Sequence, residues 1–205
     1  MPMVDRFLFE VSGVSHTLRV VRLSGREGLS ELFHFELVLA SEDPAIPAAD
    51  LIGQPALLTI RVGDDEPRLV HGIVARLLVG DSGKKLTTYQ LTLVPTPWRL
   101  LHRFDCRIFQ TKTVQEILDA VFKAAGLATG TDYRFALQGS YAKREYCVQY
   151  RESDWAFASR LMEEEGIHYF FEHSEDKHVL VLADMPTAHV PIAGEATVIF
   201  RPPLG

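Results

Sequence analysis

The sequence has little of what a cross-linked or membrane-spanning protein needs. Its 205 residues include only two cysteines, Cys106 and Cys147, which are too few for a disulfide framework, so we expect both thiols to be reduced and buried. The longest apolar runs, such as Leu77–Val79 and Val179–Ala183, fall far short of the roughly 20 residues that a spanning helix requires. We therefore expect no membrane span.

A secretory signal and a surplus of positive charge are missing as well. No basic region followed by an apolar stretch occurs at the N-terminus, so we expect a cytosolic protein that leaves the cell, if it does, without a cleavable signal. Lys and Arg number 21 against 27 Asp and Glu, a formal net charge of −6, which argues against a nucleic-acid partner. The hydrophobic content of 47% is that of an ordinary folded protein, and the length allows one large domain or two small ones.

Sequence motifs of enzymes are absent too. The sequence has no Gly-x-Ser-x-Gly elbow, no glycine-rich phosphate loop and no His-Glu-x-x-His pair. Cys147 lies among Tyr146, Val148 and Tyr150, which favours a strand with a small buried thiol over a catalytic nucleophile. We therefore expect no catalytic residue, no cofactor and no metal.

The first part of the chain, as far as about Pro95, has the pattern of β-strands. Phe33, Phe35, Leu37 and Leu39 occupy alternate positions, as in a strand with one buried face. Because a single open sheet of six strands would leave exposed edges, we expect a small barrel. The six predicted strands are Phe7–Val11, Leu18–Leu23, Phe33–Ala40, Leu57–Val62, Leu69–Val79 and Leu86–Val94, the last two joined by a hairpin turn at Gly80–Gly83.

Two helices are predicted in the middle of the chain. Thr113 and Glu116 have the spacing of a capping box, apolar residues at helical spacing follow them, and Gly126 is a typical C-terminal stop. The two predicted helices cover residues 114–125 and 154–165, with Ser153-Asp154 at the start of the second and Gly166 at its end.

The last part of the chain is predicted to return to β structure. Two strands are expected, Ile167–Phe171 and His178–Ala183, with no evident third strand beside them, and another apolar run covers Thr197–Phe200. The predicted fold class is mainly β with a helical insertion, an α+β arrangement. Its expected parts are a first β-barrel over residues 1–97, a helical insertion with short strands over 98–166, and the incomplete start of a second β-barrel over 167–205.

The most tempting group for chemistry lies in this last hairpin and consists of His168, Glu172, His173 and His178. A zinc site needs ligands that converge on one point, but His168 and His173 are an odd number of residues apart and so project from opposite faces of a strand. A solvated hairpin is therefore the favoured interpretation, although His173 and His178 flank the turn and could face each other. A metal-dependent hydrolase that uses the His168–His178 region is the weakest of the functional alternatives.

Two charged stretches are candidates for an interface. Three acidic residues end the second helix, where the helix macrodipole disfavours negative charge. The simpler interpretation is a helix end whose acids are solvated. The alternative hypothesis is that these acids meet a basic surface, either of a neighbouring subunit or of the same chain. The candidate interface residues are Arg99, Arg103, Arg107 and Lys112 in the basic stretch, and Glu163, Glu164 and Glu165 in the acidic one.

The sequence resembles the N-terminal region of the VgrG family, the spike proteins of bacterial type VI secretion. The resemblance covers nearly all of the chain in the family's order. The stretches that carry it are Arg26–Phe33, Asp50–Ala56, His71–Val74, Tyr89–Leu101, Arg107–Gln110, Glu145–Asp154, Arg160–Ile167 and Tyr169–Phe171.

This resemblance implies a structural role and a set of partners. It implies a fold like the gp27 hub of phage baseplates, a homotrimer in which two related β-barrels per chain form a pseudo-six-fold ring, and a hexameric Hcp tube ring beneath that ring. It further implies a β-spike, a PAAR tip protein, and effectors or their adaptors bound through parts of a longer chain. A contractile phage or prophage baseplate hub of the same architecture is the alternative that the sequence leaves open.

Overall fold

The computed structural model describes residues 6–61, 66–191 and 197. Those residues form eleven β-strands, three α-helices and two 3₁₀ helices. The strands are β1 Phe7–Val11, β2 Arg19–Arg26, β3 His34–Ser41, β4 Pro55–Ile60, β5 Arg68–Ser82, β6 Thr87–Val94, β7 Phe104–Phe109, β8 Tyr133–Ala136, β9 Cys147–Ser153, β10 His168–His173 and β11 His178–Ala183. The helices are α1 Ala48–Leu51, α2 Val114–Ala124 and α3 Asp154–Glu164, with 3₁₀ helices at Thr96–His102 and Pro186–Ala188.

The first six strands form one antiparallel sheet in the order β1-β4-β5-β6-β3-β2. The sheet curls into a half-barrel, so its edge strands β1 and β2 lie close together. The alternating apolar residues of β3 point inward, where Leu37 and Leu39 are almost completely buried beside Leu58, Val70 and Tyr89. The predicted six strands and the mainly β class are confirmed, but the expected small barrel is a half-barrel, because β1 and β2 approach each other without forming a ladder.

The hairpin between β5 and β6 differs from the prediction. β5 runs to Ser82 rather than ending at Val79, and the turn is closed by a hydrogen bond from the amide of Gly83 to the carbonyl oxygen of Leu86, 2.9 Å. Bulges after Val74 and Val79 account for the extra length, because each adds a residue to one strand without ending the ladder.

The two predicted helices are confirmed, with their caps. The Thr113 side chain accepts from the amide of Glu116 at 3.2 Å, and the Glu116 carboxylate accepts from the amide of Thr113 at 2.8 Å, which completes the capping box. Ser153 caps α3 by accepting from the amide of Ala156 at 3.1 Å. Gly166, just beyond α3, has a φ of 69°, a left-handed conformation that favours glycine.

The last hairpin has a third strand, which corrects the expectation of none. β8 pairs in parallel with β11, so the sheet order is β10-β11-β8 and β11 is its central strand. All six residues of β11 are buried, as expected of a strand covered on both faces. β8 is only four residues long, too short for a period-two pattern to stand out in the sequence. Of the predicted apolar run 197–200, residues 198–200 lie outside the described residues.

A second hydrophobic core lies beside the half-barrel. Side chains of α2 and α3 pack there with those of the three-stranded sheet, so β10 and β11 share their core with the helices. The half-barrel joins this unit through Phe33, whose ring meets that of Phe171 edge-on at 5.0 Å, and through the amide of Ser30, which donates to the carbonyl oxygen of Tyr169 at 2.8 Å. The two cores therefore meet at β10.

Candidate assembly surface

Strands β7 and β9 form a separate two-stranded antiparallel sheet, which we call the ribbon. β7 follows the 3₁₀ helix that leaves the half-barrel, and β9 leads directly into α3. Successive side chains of a strand point to opposite faces, so the ribbon has an inner face toward the helices and an outer face toward solvent.

The inner face carries a buried charge network centred on Asp154, the first residue of α3, which is 1% exposed. Its carboxylate is paired with the guanidinium of Arg107, accepts from the Gln149 side-chain amide at 2.9 Å, and lies 3.3 Å from Nε of Arg103. Arg107 also donates to Gln149 at 2.9 Å. A buried carboxylate is tolerated only when it is paired, so two of the predicted interface arginines hold the ribbon against α3.

The outer face is apolar and exposed. Phe104 is 70% exposed, Ile108 60% and Tyr150 65%, and Tyr146, just before β9, is 57% exposed. Cys106 is exposed on the same face, next to Tyr150 in the register, so the expectation that both cysteines are buried is wrong for Cys106 and correct for Cys147. Cys106 is exposed because side chains alternate along β7, which places residues 104, 106 and 108 together on the outer face.

A strained residue shapes this outer face. The register shifts between Asp105 and Cys106, and Arg151 occupies the resulting bulge with a φ of 51°, in the left-handed region. For a residue other than glycine that conformation costs about 1–2 kcal/mol. The Arg151 guanidinium lies over the ring of Tyr150, 5.3 Å from its centroid, so the bulge presents a cation and an aromatic ring together.

The acidic end of α3 has its partner within the chain. Arg144 donates to Glu164 at 2.7 Å and to Glu165 at 2.6 Å, and these hydrogen bonds raise the pKa of Arg144 and lower that of Glu164. Arg160 lies between Glu152, at 2.8 Å, and Glu164, at 3.3 Å. Arg144 lies 20 residues from Glu164, and no local pattern in the sequence marked it.

The remaining predicted interface residues are dispersed. Arg99 donates to the carbonyl oxygen of Gly53 at 3.2 Å, and Lys112 is bridged through its backbone to Arg144. Glu163 is exposed and makes no ion pair with the residues that the structure describes. The basic stretch and the acidic helix end therefore use other partners within the chain, and their meeting across a subunit boundary stays a prediction.

Three histidines cluster where the half-barrel meets the second unit, and one of them, His71 on β5, was missed. Nε2 of His178 accepts from the amide of Thr96 at 2.8 Å, and its Nδ1 lies 2.9 Å from Nδ1 of His71. Nδ1 of His173 accepts from the amide of His71 at 3.1 Å. A ring nitrogen accepts a hydrogen bond only when it carries no proton, so the rings of His173 and His178 are both neutral. His178 therefore carries its proton on Nδ1 and donates it to Nδ1 of His71. The solvated-hairpin interpretation is wrong for His173 and His178, because packing against β5 buries His178 and partly buries His173.

Burial keeps these rings uncharged. It lowers the pKa of His178 to about 3 and that of His173 to about 4, and it also lowers the pKa of His71. The other members of the predicted group lie elsewhere, since His168 stacks on His189 at 5.0 Å and Glu172 pairs with Arg134 at 2.6 Å. The four predicted residues do not converge on one point.

The described parts of the chain contain no group of three or more His, Cys, Asp or Glu side chains that could hold a metal ion. In those same parts, no helix combines the length and the apolar character needed to cross a membrane.

The chain thus combines a curled β half-barrel, a junction of hydrogen-bonded histidines and a ribbon that displays apolar side chains, and these features define a β-rich module with an exposed apolar surface. The family model described as phage tail baseplate hub (GPD) matches residues 26–205. The chain belongs to this phage tail baseplate hub family.

Individual relatives agree with that assignment. The type VI secretion system spike protein VgrG1c of Pseudomonas aeruginosa is 45% identical over 186 residues, which cover 91% of this chain and 25% of that protein. The actin cross-linking toxin VgrG1 of Vibrio cholerae is 40% identical over 188 residues, 87% of this chain and 17% of the toxin. The chain thus spans about a quarter or less of the length of these relatives.

A solved structure also matches closely. The c3393 protein of E. coli is described as a component of the type VI secretion system with structural similarity to the T4 bacteriophage tail proteins gp27 and gp5. It superposes with a TM-score of 0.82 at 26% identity, over 89% of this chain and 50% of that one. The predicted gp27-like fold is confirmed by this match.

Proposed function

We propose that this chain is the base of a type VI secretion spike, a structural part that sits on the Hcp tube and helps to deliver effectors into target cells. The observation that carries the proposal is the match to a type VI secretion component across 89% of the chain, together with 45% identity to a spike protein. The same proposal assigns residues 1–97 to the first barrel, 98–166 to the helical insertion and 167–205 to the start of a second β unit.

The internal construction of the chain suits a mechanical role. Rigidity is supported by a closed hydrophobic core in each unit and by a junction whose polar groups are hydrogen-bonded inside the protein. These cores and hydrogen bonds hold the fold together, and the proposed base needs no catalytic group for its role. The relative named as a toxin is far longer than this chain, and its activity is a property of that protein.

The proposed partners follow from the proposed role. They are two further copies of the chain in a homotrimer and the Hcp ring on which the trimer sits. The PAAR tip protein, with effectors or their adaptors, would bind through regions of a longer protein. Assembly would take place in the cytoplasm, followed by export through the type VI system without a signal peptide.

A phage or prophage baseplate hub is the second candidate, favoured by the family model that matches residues 26–205. Both candidates use the same architecture, so the difference lies in the ring on which the hub sits. The hydrolase alternative has no support, because the histidines on which it would depend are dispersed or engaged in internal hydrogen bonds.

A chimeric spike tests the proposal. The matched region of VgrG1c from Pseudomonas aeruginosa is replaced by this chain, and the release of Hcp and of the chimera into the medium is measured in cells that lack other spike proteins. We expect release within a few-fold of the parent protein. A second chimera with Leu39→Asp in the barrel core should fail and serves as the control. A folded wild-type chimera that supports no release would contradict the proposal, and its activity in a phage hub instead would favour the second candidate.

A further inference from the structure

Two hydrogen bonds that join the half-barrel to the second unit end on histidine rings. On β5, the amide of His71 donates to Nδ1 of His173 at 3.1 Å. Just after β6, the amide of Thr96 donates to Nε2 of His178 at 2.8 Å. Both acceptors belong to the β10–β11 hairpin, and histidine is the side chain that ordinarily takes up a proton between about pH 5 and pH 8. These contacts at the junction are therefore made by groups that titrate in mild acid.

Protonation is incompatible with both of these hydrogen bonds. A ring nitrogen that accepts a hydrogen bond carries no proton, and once protonated it becomes a donor that faces another donor. Charged rings would also repel one another, since the His178 ring centroid lies 5.2 Å from that of His71 and 6.3 Å from that of His173. The closed junction therefore requires that His173 and His178 stay neutral.

The charged groups around the junction do not compensate for a proton on the rings. Burial is the main cause of the low pKa of His173, and Arg68, which forms an ion pair with Glu27, lowers that pKa further. Burial likewise lowers the pKa of His71, and Asp176 opposes this effect from an exposed position in the β10–β11 turn. Among the described residues, none of the three rings forms an ion pair with an acidic side chain.

A cleft gives solvent a route to these rings. Its volume is about 310 Å³, and its lining includes Phe33, Arg68, Phe171 and His173. His173 is only partly buried, whereas His178 is 5% exposed. Protons can therefore reach His173 while the two hydrophobic cores are intact.

Each unit has internal supports that do not involve the junction. β5 pairs with β4 and β6 within the half-barrel, and the β10–β11 hairpin pairs with β8 and shares its core with α2 and α3. Between the units, the rings of Phe33 and Phe171 meet edge-on, and the amide of Ser30 donates to the carbonyl oxygen of Tyr169. Loss of the histidine contacts would therefore free the hairpin from β5 without disrupting either sheet.

We propose that the histidine junction is an acid-sensitive contact: when His173 and His178 take up protons, the β10–β11 hairpin separates from β5 while both cores stay folded. Opening involves contacts within one chain, so it does not depend on the proposed function. A spike base and a phage hub with these residues would share it.

Amide NMR spectra of the 205-residue protein between pH 7 and pH 4 test the opening. We expect the signals of the His71 and Thr96 amides to leave their native positions in acid. The amides of Ile46 and Leu127, which are bonded inside the half-barrel and the second unit, should keep theirs. Signals that all change together would mean global unfolding and would overturn the proposal. Junction signals that stay native at pH 4 would overturn it as well.

The pH dependence identifies the groups that titrate. The ratio of open to closed protein should grow by about a hundredfold per pH unit below about 6.5, tenfold for each of two histidines that stay neutral only in the closed state. In His178→Gln, which keeps an acceptor for the Thr96 amide but cannot take up a proton, the growth should fall to about tenfold per unit. Growth of less than about tenfold per unit in the wild type would overturn the proposal, whether or not the variants fold.

A double variant, His173→Gln with His178→Gln, separates the two rings from other acid effects. Because only His71 of the three still titrates, its junction signals should stay native to about one pH unit lower than those of the wild type. His34→Gln, at an exposed position, is the matched control and should open like the wild type. A folded double variant that opens at the wild-type pH would refute the assignment of the opening to these two rings.

Discussion

The three-histidine junction between the half-barrel and the second unit should make the protein sensitive to mild acid. Burial holds the pKa of His173 at about 4 and that of His178 at about 3 in the folded state, whereas an unfolded chain has histidines with the ordinary value near 6.5. Between these values the unfolded chain binds more protons, so the free energy of unfolding rises with pH in this window. The stability is fully present above about pH 6.5 and is lost as the pH falls below it.

The size of this loss in stability depends on how far the pH lies below the ordinary histidine pKa. pH 5 lies about 1.5 units below the ordinary histidine pKa, and one unit corresponds to about 1.4 kcal/mol. Each histidine that stays neutral in the folded state therefore lowers the free energy of unfolding at pH 5 by about 2 kcal/mol. His173 and His178 together therefore lower the free energy of unfolding by about 4 kcal/mol, a large share of the 5–15 kcal/mol typical of a domain. His71 adds to the loss in the same direction, although Asp176 opposes the effect at His71.

Urea unfolding at pH 7.5 and pH 5 measures this difference. His173→Gln keeps an acceptor for the amide of His71 but removes the titration, so its loss between the two pH values should be smaller than the wild-type loss by about 2 kcal/mol. His34→Gln, at an exposed position, is the matched control and should behave as wild type. An unchanged pH dependence in His173→Gln would refute the reasoning, because it would mean that the ring is accessible to protons in the folded state.

Three further changes, the first with a matched control substitution, test other parts of the structure by the same unfolding assay. Arg107→Met leaves the buried carboxylate of Asp154 with fewer partners and should lower the free energy of unfolding by about 3 kcal/mol. The control Arg134→Met breaks an exposed ion pair and should lower it by less than about 1 kcal/mol. Equal losses would contradict the buried network. Thr113→Ala removes the N-cap of α2 and should cost about 1 kcal/mol. Gly72→Ala places a Cβ 2.7 Å from a carbonyl oxygen of β6 and should cost about 1–3 kcal/mol, so unchanged stability would refute the close approach of β5 and β6.

Much of the fold could be predicted because its signals are local. The alternation of apolar residues in β3 and the capping box at Thr113 each depend on residues that are neighbours in the sequence, and both were confirmed. Bulges were harder to predict, because a strand that contains one loses the strict alternation. β5 therefore runs three residues beyond its predicted end.

The candidate site could be predicted only in part, because its contacts are distant in the sequence. His71 and His178 are 107 residues apart, and the burial of this pair depends on how β5 packs against the second hairpin. Arg103 and Arg107 were singled out for their charge, but only the fold shows that Asp154 is their partner. The outer face of the ribbon was not predicted, since the alternation of β7 gives no indication of which side faces solvent.

We propose that the chain forms the hub of a spike that assembles from like copies on a tube. Electron microscopy of the purified chimeric spike, with the Hcp ring bound, can show this arrangement. We expect a three-fold particle in which residues 6–61 and 66–191 occupy the ring next to Hcp. A chimera that is folded but monomeric, or one whose hub density lies away from the tube, would contradict it.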